Sequence, residues 1–258
     1  MTYEEVAAQL TGPGGPFEVV VEDVGGRPTR NFRHRERNLR EKIANAGVRG
    51  DLTCFVQGER RISYGEMART VWGAAHRLAA HGFRPGDRLA ILAFNSPDWL
   101  MAMFGATAMG GVAVGLNGWW VTEEIEYGLS DSGSRFLVTD ERLYPRVAEL
   151  AGRVPTLEKI FFIGPNPPPG TIPVADLLQP CDEAPTVPIA EDDPFVILYT
   201  SGTTGRPKGC ITTHRGTIAQ VLGILYATVA TAVLDGNEAV LAPPATQPCS
   251  LLTSPLFH

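Results

Sequence analysis

One stretch of the sequence, LAILAFNSPDWLMAMFGATAMGGVAVGL at residues 89–116, changes from strand to helix and back to strand. Residues 89–94 (LAILAF) form a short apolar run that is typical of a buried strand. A helix is predicted to begin after Ser96, a favoured N-cap residue, with Pro97 at its first position. A pair of glycines should end this helix, and a second apolar strand follows at residues 112–116.

The same alternation continues on both sides of this stretch. The further predicted elements are helices at residues 65–81, 122–131 and 141–151 and strands at residues 135–139 and 159–163. Strands that alternate with helices are typical of a sheet of mostly parallel strands. We therefore predict an α/β fold, with a layered, mostly parallel sheet flanked by helices.

A second informative segment is FVILYTSGTTGRPKGCITT at residues 195–213, where a polar loop lies between two predicted strands. The candidate anion-binding groups in this loop are the hydroxyls of Ser201, Thr203 and Thr204, the backbone at Gly202, Gly205 and Gly209, and the amino group of Lys208. The lysine follows the hydroxyls, whereas it precedes the hydroxyl in the Walker loop. The pattern predicts a phosphate-binding loop, and the alternative is a flexible turn.

Composition and charge exclude some classes of protein. With 258 residues, 44% hydrophobic and 19% charged, the chain has an ordinary globular composition. Its net charge of -6 argues against a general nucleic-acid binder. Residues 27–42 carry seven Arg or Lys against two Glu, a local charge of +5. This segment is either a contact for an acidic partner or a phosphate-rich cofactor, or a solvated helix, and we favour the helix.

The chain has no recognisable export signal. Its four cysteines lie far apart, without zinc-ligand spacing, and are interpreted as reduced thiols in a cytoplasmic protein: Cys54, Cys181, Cys210 and Cys249. Residues 216–234 contain no charge and could span a bilayer by length, but Gln220 and several threonines dilute them. We predict a buried helix here and no stable membrane insertion.

Four regions are expected along the chain. They are an N-terminal extension at residues 1–50, an α/β subdomain at 51–163, a proline-rich crossover at 164–190, and the polar loop with the start of a next subdomain at 191–258. The crossover begins with GPNPPPGTIP, which has too few backbone donors for regular structure.

The loop resembles a known signature. YTSGTTGRPKG at residues 199–209 is similar to the phosphate-binding signature of the adenylate-forming (AMP-binding) superfamily. RRISYGEM at residues 60–67, the region 106–140 and SPLFH at 254–258 resemble further elements of that superfamily. SGTTG in the loop and LNGWW after the central strand favour acyl- or aryl-CoA ligases, particularly the bacterial fatty-acyl type, over the adenylation domains of peptide synthetases.

The resemblance implies an ATP-dependent ligase with Mg²⁺ as cofactor and CoA as co-substrate. A carboxylic acid, such as a fatty acid, would attack ATP to form an acyl-adenylate, and a thiol would then displace AMP. The residues implied for ATP binding are Thr200, Ser201, Gly202, Thr203, Thr204, Gly205 and Lys208. Thr200 would also contact the metal, and His258 would be a catalytic residue beside the adenylate.

The resemblance also implies that several parts of the enzyme would follow residue 258. We therefore expect an N-terminal fragment that is inactive by itself. The alternatives are a non-catalytic nucleotide-binding or interaction module, an adenylation domain that acts on another acceptor, and a membrane-associated protein. An incomplete sheet would expose apolar surface, so a homo-oligomer is possible in principle.

Overall fold

The computed structural model describes residues 1–150, 152–200, 205–237 and 247–257. The chain divides into two compact units, Met1–Arg37 with Arg215–Thr253 and Asn38–His214 with Ser254–His258. The domain boundaries expected from the sequence remain a prediction.

Most elements have the type that the sequence predicts. The helices in the described residues are α1 (Tyr3–Thr11), α2 (Leu39–Gly47), α3 (Tyr64–Ala80), α4 (Pro97–Ala108), α5 (Thr122–Ser132), α6 (Tyr144–Ala148), α7 (Val174–Leu177) and α8 (His214–Leu234). The strands are β1 (Val19–Val24), β2 (Arg27–Phe32), β3 (Thr53–Gln57), β4 (Arg60–Ser63), β5 (Arg88–Leu92), β6 (Val112–Gly115), β7 (Phe136–Asp140), β8 (Lys159–Ile163), β9 (Ile172–Pro173), β10 (Pro194–Thr200) and β11 (Lys208–Thr213).

Helix α6 is shorter than predicted. The sequence pattern places its start at residue 141, but the structure begins it at Tyr144. The Asp140 carboxylate accepts from the backbone N–H groups of Arg142 and Leu143 at 3.1 and 3.0 Å. These side-chain bonds hold the segment as a turn and compete with helix formation.

The second unit is built on a seven-stranded sheet with the order β11-β10-β6-β5-β7-β8-β9. Every neighbouring pair in it is parallel except β10 with β11, which is antiparallel. This arrangement confirms the predicted layered, mostly parallel sheet. The parallel strands need crossover connections, and the helices predicted between them provide these.

Helices cover both faces of this sheet. Leu89 and Ile91 of β5 belong to one buried cluster, together with residues of α3, α4 and α7. Ala90 and Leu92 of the same strand belong to a second cluster with residues of α5 and α6. Successive side chains of a strand point to opposite faces, so a strand buried on both faces is apolar throughout. This explains the continuous apolar run in the sequence of β5.

The proline-rich crossover is more ordered than expected. The sequence predicts no regular structure for GPNPPPGTIP, yet its last two residues form β9, which pairs in parallel with β8, and α7 follows directly. The expectation fails because β9 lies at the edge of the sheet. An edge strand has one side without pairing, so a proline can be tolerated there.

The basic segment at residues 27–42 is helical only at its end, since α2 begins at Leu39, and it is not the single solvated helix that we favoured. Residues 27–32 form β2, which pairs antiparallel with β1 across a two-residue Gly25-Gly26 turn. Both glycines have positive φ, at 59° and 81°, which suits the tight turn of a hairpin. Arg33 pairs with Glu18 at 2.7 Å. The apolar spacing alone did not reveal this hairpin, although its Gly-Gly turn is a signal for one.

The first unit has its own small core. Val6, Leu10, Phe17 and Ala230 form a buried cluster, so α1 and α8 pack with the residues that precede the hairpin. The ring of Phe17 makes edge contacts with Phe32 and Tyr226 at 6.1 and 5.7 Å between centroids. These contacts fix α8 within its unit.

The predicted helix at residues 216–234 is present within α8, but it is not buried as expected. Only 22% of its most apolar window is buried, and Ile224 and Leu225 are 63% and 50% exposed. By length and composition α8 could cross a membrane, and this is weak evidence because core helices of soluble proteins pass the same test. The exposed face is a correction to the sequence-based interpretation, since periodicity cannot report which neighbours surround a helix.

Candidate functional site

The polar loop connects β10 to β11 at the carboxyl end of β10. Thr200, the last residue of β10, lies opposite Lys208, the first residue of β11, in the antiparallel pair. β10 also pairs in parallel with β6, which places the loop beside the carboxyl end of a central strand. Ligands of open α/β sheets bind outside the carboxyl ends of the strands. Ser201, Gly202, Thr203 and Thr204 lie outside the described residues.

The described part of the loop is open to solvent. Gly205 has a φ of 143°, and a Cβ added there would meet no heavy atom within 4 Å. Arg206 and Lys208 are exposed. Among the residues that the structure describes, no carboxylate lies within ion-pair distance of the Lys208 amino group. An exposed lysine without an ion-pair partner in the described part of the chain, three residues after a glycine with space around it, suits an anionic ligand.

Helix α5 holds the exit of the loop. The hydroxyl of Tyr127 donates to the carbonyl of Pro207 at 3.1 Å. The guanidinium carbon of Arg206 lies 5.2 Å from the centroid of the Tyr127 ring, which is a cation-π distance. Both contacts join the loop to a helix that is itself packed on the sheet. The loop is therefore anchored on its exit side.

The same helix holds the entry of the loop through Tyr199, the penultimate residue of β10. The Tyr199 hydroxyl lies 2.7 Å from the Asp131 carboxylate and 3.2 Å from the Gly128 carbonyl. Burial and the nearby Asp131 charge raise the pKa of Tyr199, so its hydroxyl keeps its proton and can donate. The Tyr199 ring also contacts Trp120 edge-on, with centroids 5.4 Å apart.

A cavity of about 560 Å³ borders β10 and β11, with Arg88, Asp131 and Asp193 among its lining residues. Its polar groups already have protein partners. Arg88 Nε donates to the Ser132 carbonyl at 2.7 Å, and Asp193 accepts from the Ala190 N–H at 2.8 Å. We therefore assign no ligand to this cavity.

A metal would have few protein ligands here. The described residues contain no group of three or more His, Cys, Asp or Glu side chains that could hold one. The Thr200 hydroxyl lies 3.4 Å from the Lys208 carbonyl, at the long limit of a hydrogen bond. Such a weakly engaged hydroxyl could turn to a cation, and Mg²⁺ commonly takes few protein ligands beside substrate phosphates.

The segment at residues 254–257 lies against the same end of the sheet. Phe257 is buried, and a Cβ added at Gly115 of β6 would lie 3.1 Å from its Cα. The Phe257 and Trp119 rings meet edge-on, with centroids 5.3 Å apart. His258, the predicted catalytic residue, lies outside the described residues.

His214 has a structural position. In the structure it is buried, and its Nδ1 accepts from the backbone N–H of Leu39 at 3.2 Å. Leu39 is the first residue of α2, so the ring binds the backbone at the start of that helix. Burial lowers the pKa of His214 to about 4.

Sequence reasoning missed the residues that anchor the loop. Tyr127 and Asp131 carry no local signal of this role, because their partners are about 70 or 80 residues away in the chain. Tyr199 was included in the predicted strand and in the signature at residues 199–209, but its contact with Asp131 was not predicted.

Known proteins share this arrangement of elements. A profile of the AMP-binding enzyme family matches residues 43–258. A feruloyl-CoA synthase from an Amycolatopsis species is 34% identical over 217 residues, which cover 84% of this chain and 38% of that protein. The inhibitor-bound N-terminal domain of FACL13 from Mycobacterium tuberculosis has a TM-score of 0.62 at 29% identity, covering 69% of this chain and 45% of that one.

A second solved structure, the anthranilate CoA ligase AuaEII in complex with anthranoyl-AMP, has a TM-score of 0.65 at 29% identity and covers 69% of this chain and 35% of that one. The chain thus spans 38% of the length of the feruloyl-CoA synthase that it matches. The profile match extends over most of the chain and includes both the loop and the segment at residues 254–257. This chain belongs to the AMP-binding enzyme family.

Proposed function

We propose that this chain supplies the phosphate-binding part of an ATP-dependent, AMP-forming carboxylate-CoA ligase. The observation that carries the proposal is the loop at the carboxyl end of β10, which is anchored to α5 on both sides. It presents Lys208, an exposed cation with no ion-pair partner among the residues that the structure describes. AMP-binding CoA ligases use ATP and CoA, and relatives of this chain carry such activities in their names.

The proposed reaction has two steps. A carboxylate oxygen attacks the α-phosphorus of ATP, forming the acyl-adenylate and releasing pyrophosphate. The thiolate of CoA then attacks the acyl carbonyl carbon, forming the thioester and releasing AMP. In the first step one anion approaches another while negative charge moves onto pyrophosphate, so fixed donors and cations near the phosphates lower the barrier.

Within this chain, the loop would supply these donors and the cation. Ser201, Gly202, Thr203, Thr204, Gly205 and Lys208 would bind the β- and γ-phosphates of ATP. Each bond from such a group to a charged oxygen contributes about 1.5 to 3 kcal/mol. The anchors on Tyr127 and Tyr199 would keep the loop in one place, so that less entropy is lost when the nucleotide binds.

Mg²⁺ would be held by the Thr200 hydroxyl together with phosphate oxygens, and when bound it would supply positive charge against the polyphosphate. His258 would lie beside the adenylate and the acyl group. Both assignments are supported by the family membership and by the position of the neighbouring described residues at one end of the sheet.

The acid that is activated is proposed as an organic acid, either fatty or aromatic. The likeness to a fatty acyl CoA synthetase from Mycobacterium tuberculosis, at 28% identity and a TM-score of 0.61, supports the preference for fatty acids. Two other relatives favour an aromatic acid, since their names give ferulate and anthranilate as substrates. An assay of the purified protein must therefore include both classes.

The test is carboxylate-dependent exchange of labelled pyrophosphate into ATP by the protein expressed from its complete reading frame. We expect exchange with at least one acid among palmitate, octanoate, benzoate, ferulate and anthranilate, followed by a CoA thioester detected by mass spectrometry. Nucleotide binding without exchange would support a non-catalytic module instead. Exchange without a CoA thioester would support an adenylation domain that acts on another acceptor.

Two variants test the loop itself. Lys208→Ala or Thr204→Ala should lower the exchange rate by about tenfold or more, because each removes a contact to a charged oxygen. Lys159→Ala is the matched control, since Lys159 is an exposed lysine at the amino end of β8, away from the loop. An unaltered rate in Lys208→Ala would remove the loop from the mechanism.

Three expectations remain predictions. The 258-residue chain alone is expected to be inactive in this assay. Its location in the cytoplasm without stable membrane insertion is checked by its solubility without detergent. Its capacity to form a homo-oligomer is checked by size-exclusion chromatography with light scattering.

A further inference from the structure

Asn95 binds the segment at residues 254–257 with both ends of its side-chain amide. Its Nδ2 donates to the carbonyl of Ser254 at 2.8 Å, and its Oδ1 accepts from the backbone N–H of Leu256 at 2.9 Å. The two partners lie two residues apart in the chain. Two bonds from one planar amide fix the direction of the segment, whereas a single bond would leave it free to rotate.

Asn95 is itself held in a rigid turn between β5 and α4. On one side of it, the backbone N–H of Phe94 donates to the Asp140 carboxylate at 2.8 Å. On the other side, the Ser96 hydroxyl accepts from the backbone N–H of Trp99 at 3.1 Å and caps α4. A side chain on a turn that is fixed at both ends can hold a partner in a defined place.

The last described residue of the segment, Phe257, packs against the sheet. Phe257 is 8% exposed, and its Cα would lie 3.1 Å from a Cβ at Gly115. Because real Cβ atoms rarely come this close, the segment can approach β6 only where glycine is present. The Cδ2 atom of Leu198 in β10 lies 3.0 Å from the same Cβ position. The segment therefore lies at the end of β6 and beside Leu198, which is two residues before the last residue of β10.

We propose that Asn95 is a positioning residue, which holds the segment at residues 254–257 at the loop end of the sheet and thereby sets where His258 acts. His258 follows Phe257 by one peptide bond, so the contacts of the segment limit what the histidine can reach. The proposal rests on the proposed function for the role of His258. It assigns to Asn95 no contact with the substrates.

The kinetic test compares Asn95→Ala, His258→Ala and the double variant in the complete protein, by carboxylate-dependent pyrophosphate exchange. Asn95→Ala should lower kcat by about tenfold, the effect of losing a pair of hydrogen bonds, and leave the KM for ATP unchanged. The double variant should be no slower than His258→Ala, because residues that act through one another are not additive. Asn166→Ala is the control, since Asn166 is exposed in the proline-rich crossover.

A second measurement does not depend on activity. Hydrogen exchange at the Leu256 amide should become about tenfold faster in Asn95→Ala, because this N–H loses its acceptor. Gly115→Ala disturbs the packing of Phe257 against β6 without changing Asn95. It should reproduce the loss of kcat at an unchanged KM for ATP. This variant keeps the test decisive if Asn95→Ala does not fold.

The outcomes separate the two proposals. An unchanged hydrogen-exchange rate at the Leu256 amide would overturn the role of Asn95, whatever the pyrophosphate-exchange activity of the variant. Effects of Asn95→Ala and His258→Ala that multiply in the double variant would also overturn it, since Asn95 would then act independently of the histidine. If the complete wild-type protein had no pyrophosphate-exchange activity, the proposed function would be overturned. Hydrogen exchange at the Leu256 amide would still decide whether Asn95 holds the segment.

Discussion

Protonation of His214 should destabilise the second unit at mildly acidic pH. The His214 ring is fully buried, its Nδ1 accepts from the Leu39 N–H at 3.2 Å, and the Phe195 ring lies 5.2 Å away between centroids. Among the described residues, its Nε2 has no hydrogen-bond partner. A proton on Nδ1 would place a positive charge in these apolar surroundings. It would also convert Nδ1 from an acceptor into a donor, so the bond from the Leu39 N–H would be lost. Burial accordingly lowers the pKa of His214 to about 4.

The magnitude follows from linkage. An unfolded chain binds this proton with a pKa of about 6.5. Between that pKa and the folded value of about 4, the unfolded chain holds more protons, so stability falls as the pH falls through this window. The loss from His214 alone is about 2 kcal/mol at pH 5 and about 3 kcal/mol at pH 4, relative to neutral pH.

Urea unfolding followed by tryptophan fluorescence measures this loss. All four tryptophans lie in the second unit, so their fluorescence reports on the part that contains His214. The matched variant is His214→Asn, which keeps an acceptor for the Leu39 N–H but does not titrate. Wild type should lose about 2 kcal/mol more than this variant between neutral pH and pH 5. Equal losses in the two proteins would refute the buried, neutral histidine.

Two further changes have defined consequences. Gly73→Ala should lower the free energy of unfolding by about 2 kcal/mol or more, because its Cβ would lie 1.7 Å from the Gln179 carbonyl oxygen. Gly223→Ala in α8 is its control, and it should be neutral or stabilising in urea unfolding, since nothing lies within 4 Å of that Cβ. Tyr127→Phe should raise the KM for ATP about fivefold by removing the bond to Pro207, with kcat nearly unchanged in the exchange assay. An unchanged KM would contradict the anchoring of the loop by α5.

Part of the candidate site could be predicted from the sequence. The order of hydroxyls, glycines and lysine in residues 199–209, between two apolar runs, indicates a loop between strands, and the structure has the two flanking strands, β10 and β11. The contacts that hold it could not be predicted. Tyr127 reaches Pro207 across 80 residues of chain, and no local pattern records such a pairing.

The sequence alone determined the order and type of the elements from residue 65 to 163, because the spacing of apolar residues reports which face of each segment is buried. The tertiary structure decided which strands are neighbours. β9 and β10 follow each other in the chain but lie five strands apart in the sheet, since β10 pairs with β6. It also left α8 largely exposed, although its composition suits a buried helix. Pairing and burial depend on surfaces from distant parts of the chain, which local periodicity does not contain.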